Sequence, residues 1–123
     1  MTDKMKKGIL MGLMMMTLGV VYGQRTVASD SLTFFEGKVI KVCEKVSDTF
    51  VTKGEKKTTF LSFGYGYPNQ LFTAVIFEED LKNFSYVPAE FLKGKKVCLI
   101  GDVRMYNGLA EIIIERESQI SIE

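Results

Sequence analysis

From Leu32 to the C-terminus, the apolar residues of this chain recur mostly at every second position, in short runs with turn-forming residues between them. Runs of that period are half-buried β-strands, because a helix repeats its apolar face every three to four residues. In "GKVIKVCEKV" (37–46), Ile40, Val42 and Val46 alternate with Lys41, Cys43 and Lys45. "SDTFVTKGEKKT" (47–58) is polar, carries Gly54 and reads as a long connection. "TTFLSF" (58–63) is a second strand, rich in aromatic and β-branched residues, and "LFTAVIF" (71–77) is a third, apolar enough to be covered on both faces for part of its length. "KKVCLIGDVRMY" (95–106) and "LAEIIIER" (109–116) are two more strands, joined by Asn107-Gly108, a strong short hairpin signal. "QISI" (119–122) adds a brief closing strand.

Only "EEDLKNFSYVPAEFLKG" (78–94) suits a helix. Pro88 fits a first helical turn, Gly94 follows as a stop signal, and a short turn around Asp80–Phe84 precedes it. Between the second and third strands, "FGYGYPNQL" (63–71) sets Tyr65 and Tyr67 among turn formers. Rings in such a segment either fold down as a lid or stand out as a surface to stack on, and both alternatives stay open at this point.

The first two dozen residues carry a different signal. Lys4, Lys6 and Lys7 precede an apolar stretch from Gly8 to Val21, and Val21 and Gly23 place small residues at the two key positions of a cleavage site. The apolar stretch is about 14 residues, short of the ~20 a spanning helix needs. Residues 1–23 are therefore expected to be a secretory signal peptide, 24–33 a flexible lead-in and 34–123 one domain; an uncleaved anchor is the alternative. No cysteine lies near the cleavage point, which argues against a lipid anchor. The expected destination is the periplasm or the medium, with no membrane attachment after cleavage.

The whole chain has 16 basic and 15 acidic residues, and losing Lys4, Lys6, Lys7 and Asp3 leaves 13 against 14. A near-neutral domain of about 100 residues holds one core and must meet any polyanion through a local patch. Histidine is absent. That removes the imidazole of catalytic triads and the commonest zinc ligand, so neither enzyme chemistry, a metal nor a cofactor is expected. Asp102 and Glu111 read as ordinary surface carboxylates, and Glu78-Glu79-Asp80 lacks the spacing of a calcium loop.

Three strands, a helix and a β-hairpin, with "GKVIKV" and "GKKVCL" leading the first and fourth strands, resemble the OB-fold, a five-stranded Greek-key barrel. "FLSFGYGYPNQLFTAVIFEEDLKNF", "LKGKKVCLIGDVRMYNGLAEIII" and the terminal "SQISI" are similar to the small OB modules of exported bacterial proteins, some of them attached to secreted nucleases. The resemblance implies an all-β barrel with one short helix between its third and fourth strands. It departs at Glu44, where the family's first strand usually carries a bending glycine, as Gly101 does in the fourth; a bulge elsewhere or a gentler bend is then expected. In such a barrel the first and fourth strands are antiparallel neighbours. Cys43 and Cys98, both opposite in parity to the core residues, would share the outer face within reach of a disulfide. Two unbridged thiols are the alternative.

OB modules that hold oligonucleotides use the face of the second and third strands and the loops flanking it, stacking bases on aromatic rings and meeting the backbone with lysines. Carried onto this chain, the resemblance implies Lys53, Lys56 and Lys57 in one loop, Tyr106 and Asn107 in the other, and Phe60, Tyr65 and Tyr67 between them. The expected partner is single-stranded nucleic acid or another polyanion, bound weakly by a monomer. The alternative is an envelope or secreted interaction module that binds a protein, a glycan or a small ligand.

Overall fold

The computed structural model describes residues 26–123, so the expected signal peptide over residues 1–23 lies outside the described residues. No helix among the described residues is long and apolar enough to cross a membrane. The strands are β1 (Thr26–Val27), β2 (Val39–Val51), β3 (Thr59–Phe63), β4 (Phe72–Ile76), β5 (Lys96–Tyr106), β6 (Leu109–Ile113) and β7 (Ile120–Ile122). One short α-helix, α1 (Pro88–Phe91), lies between β4 and β5, and 3-10 turns span Leu32–Phe35, Glu78–Asn83 and Glu117–Gln119. The strand order is β1-β2-β3-β4-β6-β5-β7, and a further β2–β5 pairing closes β2 to β6 into a five-strand barrel. Barrel neighbours are antiparallel except β4 and β6, which run parallel.

Closure requires β2 and β5 each to pair in two directions. β2 pairs with β5 over Val39–Lys45 and with β3 over Val46–Val51, and the register slips between Val46 and Asp48. The extra residue at Ser47 is a β-bulge, which bends the strand and exchanges the faces of everything after it. Ile40, Val42 and Val46 point into the barrel. Past the bulge, the even-numbered Asp48 and Phe50 lie on the outer wall instead. The Ser47 hydroxyl donates to the Gly64 carbonyl and fastens the bend. A strand with Glu44 at the usual glycine position bends three residues later. In β5 the turning point is Gly101, where a Cβ would lie 2.7 Å from Ile112 Cγ2 and 3.3 Å from Gln119 Nε2, so a side chain would push β6 off the barrel.

The barrel interior holds Val42, Leu61, Phe63, Phe72, Ile76, Leu99, Ile112 and Ile114, all fully buried. Phe63 and Phe72 stack across β3 and β4 with ring centroids 4.5 Å apart. Leu32 closes the core from the first 3-10 turn, and Leu92, at the end of α1, closes it from the helix. Pro88 occupies the first turn of α1. In the hairpin, Asn107 (φ 51°) and Gly108 (φ 78°) take the left-handed backbone that a tight turn of this kind demands. Away from the barrel wall, the Ser85 backbone N–H and hydroxyl both donate to Glu117 and hold its carboxyl below its ordinary pKa.

Two expectations need correction. The segment read as a loose lead-in is ordered from Thr26: β1 pairs parallel to β2 with Val27 opposite Val42, and the Ser29 hydroxyl donates to Glu44 Oε1 at 2.7 Å. Val27 and Leu32, the apolar residues of an otherwise polar segment, are both buried, which fixes it against the barrel. The strand expected to end at Val46 runs on to Val51, because the bulge interrupts the alternation without ending the pairing.

Cys43 and Cys98 are direct partners in the β2–β5 ladder and form a disulfide, their Cα atoms 3.9 Å apart. The bridge lies on the outer face, opposite in parity to the buried Val42, Val97 and Leu99.

Candidate nucleic-acid interface

The outer wall formed by the second half of β2, β3 and β4, with the loops at its two ends, carries most of the residues singled out above. On β3, Leu61 and Phe63 face the core, so Phe60 and Ser62 face outward. Phe60 lies opposite Phe50 of β2 and Val75 of β4. Phe50 is 60% exposed. These two rings form the middle of the wall. Phe50 escapes a sequence reading because "SDTFV" looks like the start of a loop; the β-forming run Thr49-Phe50-Val51 was the available signal.

The lysine loop lies at one end of the wall, beyond Val51 and Thr59. It is pinned by Thr52, whose N–H donates to the Thr58 carbonyl at 2.9 Å and whose hydroxyl accepts from the Thr58 N–H at 2.9 Å. Lys53, Lys56 and Lys57 are exposed, and among the described residues none forms a salt bridge. Glu78 accepts from the Lys57 backbone N–H at 3.3 Å, not from its ammonium.

The tyrosine loop lies at the other end, where Phe63 meets Phe72. The Leu71 N–H donates to the Phe63 carbonyl at 2.8 Å and closes the loop on the barrel. Gly64 (φ 89°) starts it, with no room for a Cβ beside the Leu71 side chain 2.7 Å away. Asp48, turned outward by the bulge, accepts from the Tyr67 N–H at 2.9 Å and props the loop's outer edge. Tyr65 is 67% exposed and Tyr67 74%, so the rings stand out and cover nothing. The segment is not extended and turns at Tyr67 and Pro68, so their exposure comes from this propped loop and not from strand alternation. The parallel β4–β6 register brings the hairpin to the same end, with Tyr106 60% exposed. Asn107 is committed to forming the turn.

The expected constellation is therefore present but arranged differently. Phe60 alone lies between the two flanking loops. Tyr65 and Tyr67 share a rim with Tyr106, and the lysines occupy the opposite rim. The five residues of β3 separate these rims, a distance of about 13 Å at a strand's rise per residue.

One further residue departs from expectation. Glu111 is 6% exposed, not an ordinary surface carboxylate. Its place in the middle of β6, opposite Thr73 of β4 and Arg104 of β5, surrounds it with wall. Arg104 Nε and Nη2 both donate to its Oε1, at 3.1 and 2.9 Å. The neighbouring Gln70 Nε2 donates to the Thr73 hydroxyl at 3.3 Å. A cleft of about 650 Å³ lies beside this pair and is lined by Glu79, Asp80, Asp102 and Glu115 as well as Arg104 and Arg116. Its mixed charge does not suit a polyanion. Cys43, Cys98 and Glu123 also cluster, but the disulfide removes both thiolates as metal ligands.

The chain superposes on a chain of the yeast Stn1 and Ten1 structure with a TM-score of 0.50 and 16% identity, over 69% of this chain and 42% of that one. It superposes equally, at TM-score 0.50 and 16% identity, on a chain assigned as an aspartyl-tRNA synthetase of Leishmania major Friedlin, over 79% of this chain and 20% of that one. The barrel is an OB-fold. At these identities the likeness shows the fold alone, and this chain spans less than half the length of either neighbour. The N-terminal domain of PriB from Thermoanaerobacter tencongensis is similar at TM-score 0.42 and 14% identity, over 69% of this chain and 94% of that one. No protein-family model matches the chain, and no curated protein matches it in sequence.

Proposed function

We propose that this OB-fold protein is an exported, non-enzymatic module that binds short stretches of single-stranded nucleic acid across its outer wall. The observation that carries the reading is the set of four exposed rings, Phe50 on the wall and Tyr65, Tyr67 and Tyr106 along one of its rims, each at least 60% exposed. Aromatic rings left in water, with lysines at the opposite rim that form no salt bridge among the described residues, suit a ligand that offers flat faces and a charged backbone together, and a single strand offers both. Bases stack on the rings, and the lysine loop meets the phosphates at the opposite rim. Binding is weak and salt-sensitive, because the domain has almost no net charge to add to the local patch. The cross-strand disulfide supports export, since such bonds persist in oxidising compartments.

The test is titration of a fluorescent oligothymidylate at low salt. Saturable binding is expected at or below about tens of micromolar protein, within the usual range of sequence-independent binding. Tyr65→Ala and Tyr67→Ala should each weaken it by about 1–3 kcal/mol, the contribution of one stacked base. No saturable signal at that concentration would overturn the reading.

A further inference from the structure

We infer that Arg104 is a further stacking surface at the tyrosine rim, holding one base together with Tyr106, an inference that rests on the single-strand reading above. The two residues stand two apart on β5, and the residues that alternate with them, Val103 and Met105, are packed into the core side. Arg104 and Tyr106 therefore share the outer face. At a strand's rise they are anchored about 7 Å apart. Stacked bases repeat every ~3.4 Å, so two flat groups at that separation leave room for one base between them.

An arginine on a surface ordinarily serves as a charge. Arg104 has its charge already met: Nε and Nη2 donate to Glu111 Oε1 at 3.1 and 2.9 Å. Glu111 is 6% exposed in the middle of β6, so the anchor is fixed. A long side chain that would lose rotamer freedom on binding is thus held beforehand. Both bonds run along one edge of a planar guanidinium and leave its two faces unused. Among the described residues the cation that lies over a ring is Lys95, on Phe91, so no ring of this chain takes those faces. The Arg104 side chain is 48% exposed. It offers a strand a flat, pre-set plane beside the exposed ring of Tyr106, and bases stack on guanidinium planes as they do on aromatic rings. Any base suits, since each has a flat face. Glu111 is a positioning residue that touches Arg104 and not the strand.

The experiment titrates a fluorescent oligothymidylate of about eight nucleotides at several salt concentrations, with the native protein, Arg104→Lys and the double variant Arg104→Gln/Glu111→Gln. The lysine keeps the charge and loses the plane. The double variant exchanges the ion pair for two amides and leaves no buried charge unmatched. Each should bind about tenfold more weakly than the native protein, within the contribution of one stacked base. The slope of log affinity against log salt should stay at the native value in both, because no phosphate contact is lost. Affinity within about twofold of native in either variant would show that the plane is unused. A slope shallower by about 0.7 in the double variant would make Arg104 a phosphate contact instead. Either result overturns the inference and leaves the single-strand reading standing, whereas no binding by the native protein removes both. Each variant decides the matter alone if the other does not fold.

Discussion

Exchanging Lys53, Lys56 and Lys57 together for glutamate will remove saturable oligonucleotide binding while leaving the fold intact. The three side chains are exposed on one loop and, among the described residues, hold no salt bridge that their loss would break. A lysine close to a phosphate in water contributes on the order of 1 kcal/mol. Losing three such contacts weakens binding by about 3 kcal/mol, a factor on the order of 100, and three glutamates facing the same phosphates add repulsion. For a ligand already held weakly, that is loss beyond detection. The salt dependence makes a companion test: three neutralised phosphates on a single strand give a slope of about −2 in log affinity against log salt. The native protein should show that slope. Circular dichroism and melting of the variant should match the native protein. A variant that kept its affinity within about threefold would place the phosphate contacts elsewhere. A protein or glycan partner that meets only the apolar part of the wall would be indifferent to the exchange.

Removing the disulfide should have the largest effect on stability. The bond joins residues 55 apart in sequence, across the β2–β5 seam that closes the barrel. On the chain-entropy account, cross-linking a loop of that length stabilises a small domain by about 2–4 kcal/mol. For a domain of this size each kcal/mol shifts Tm by about 4–8 °C. The Cys43→Ala/Cys98→Ala double variant should therefore melt roughly 10–30 °C below the native protein, and excess reductant should shift the native protein the same way. The variant's outer wall should be unchanged where it folds, because the bridge lies among residues of β2 and β5 outside the aromatic rim. Melting within about 3 °C of the native protein, with the cysteines shown to be oxidised in the latter, would mean that the seam does not need its bridge.

Much of this architecture is legible in the residues, and the gaps have physical causes. Alternation of Ile40 and Val42 with Cys43, and of Val97 and Leu99 with Cys98, places both sulfurs outside, because parity along a strand is a local property. The turn at Asn107-Gly108 is equally local, set by the backbone those two residues tolerate. β1 is not visible, since two residues pairing with β2 leave no periodic trace. The outer half of β2 is hidden for a different reason: the bulge at Ser47 reverses the parity of Asp48 and Phe50, so the alternation that would mark a strand is broken where the wall begins. The exposure of Tyr65 and Tyr67 depends on Asp48 reaching a loop nearly twenty residues away to hold the Tyr67 N–H. Burial of Glu111 likewise comes from Thr73 and Arg104, neighbours only after the barrel closes. The site's parts are written in the sequence, whereas their placement at opposite rims is a product of closure.

The most direct test is to map where a single strand touches the folded protein. Backbone amide shifts of isotope-labelled protein should be followed as unlabelled oligothymidylate is added at low salt. The largest changes should fall at Phe50, Phe60, Tyr65, Tyr67, Tyr106 and the 52–58 loop, and the amides around Cys43, Cys98 and α1 should stay still. Changes centred on α1 and the β7 edge, or no changes at saturating oligonucleotide, would contradict the assignment of this wall as the binding surface.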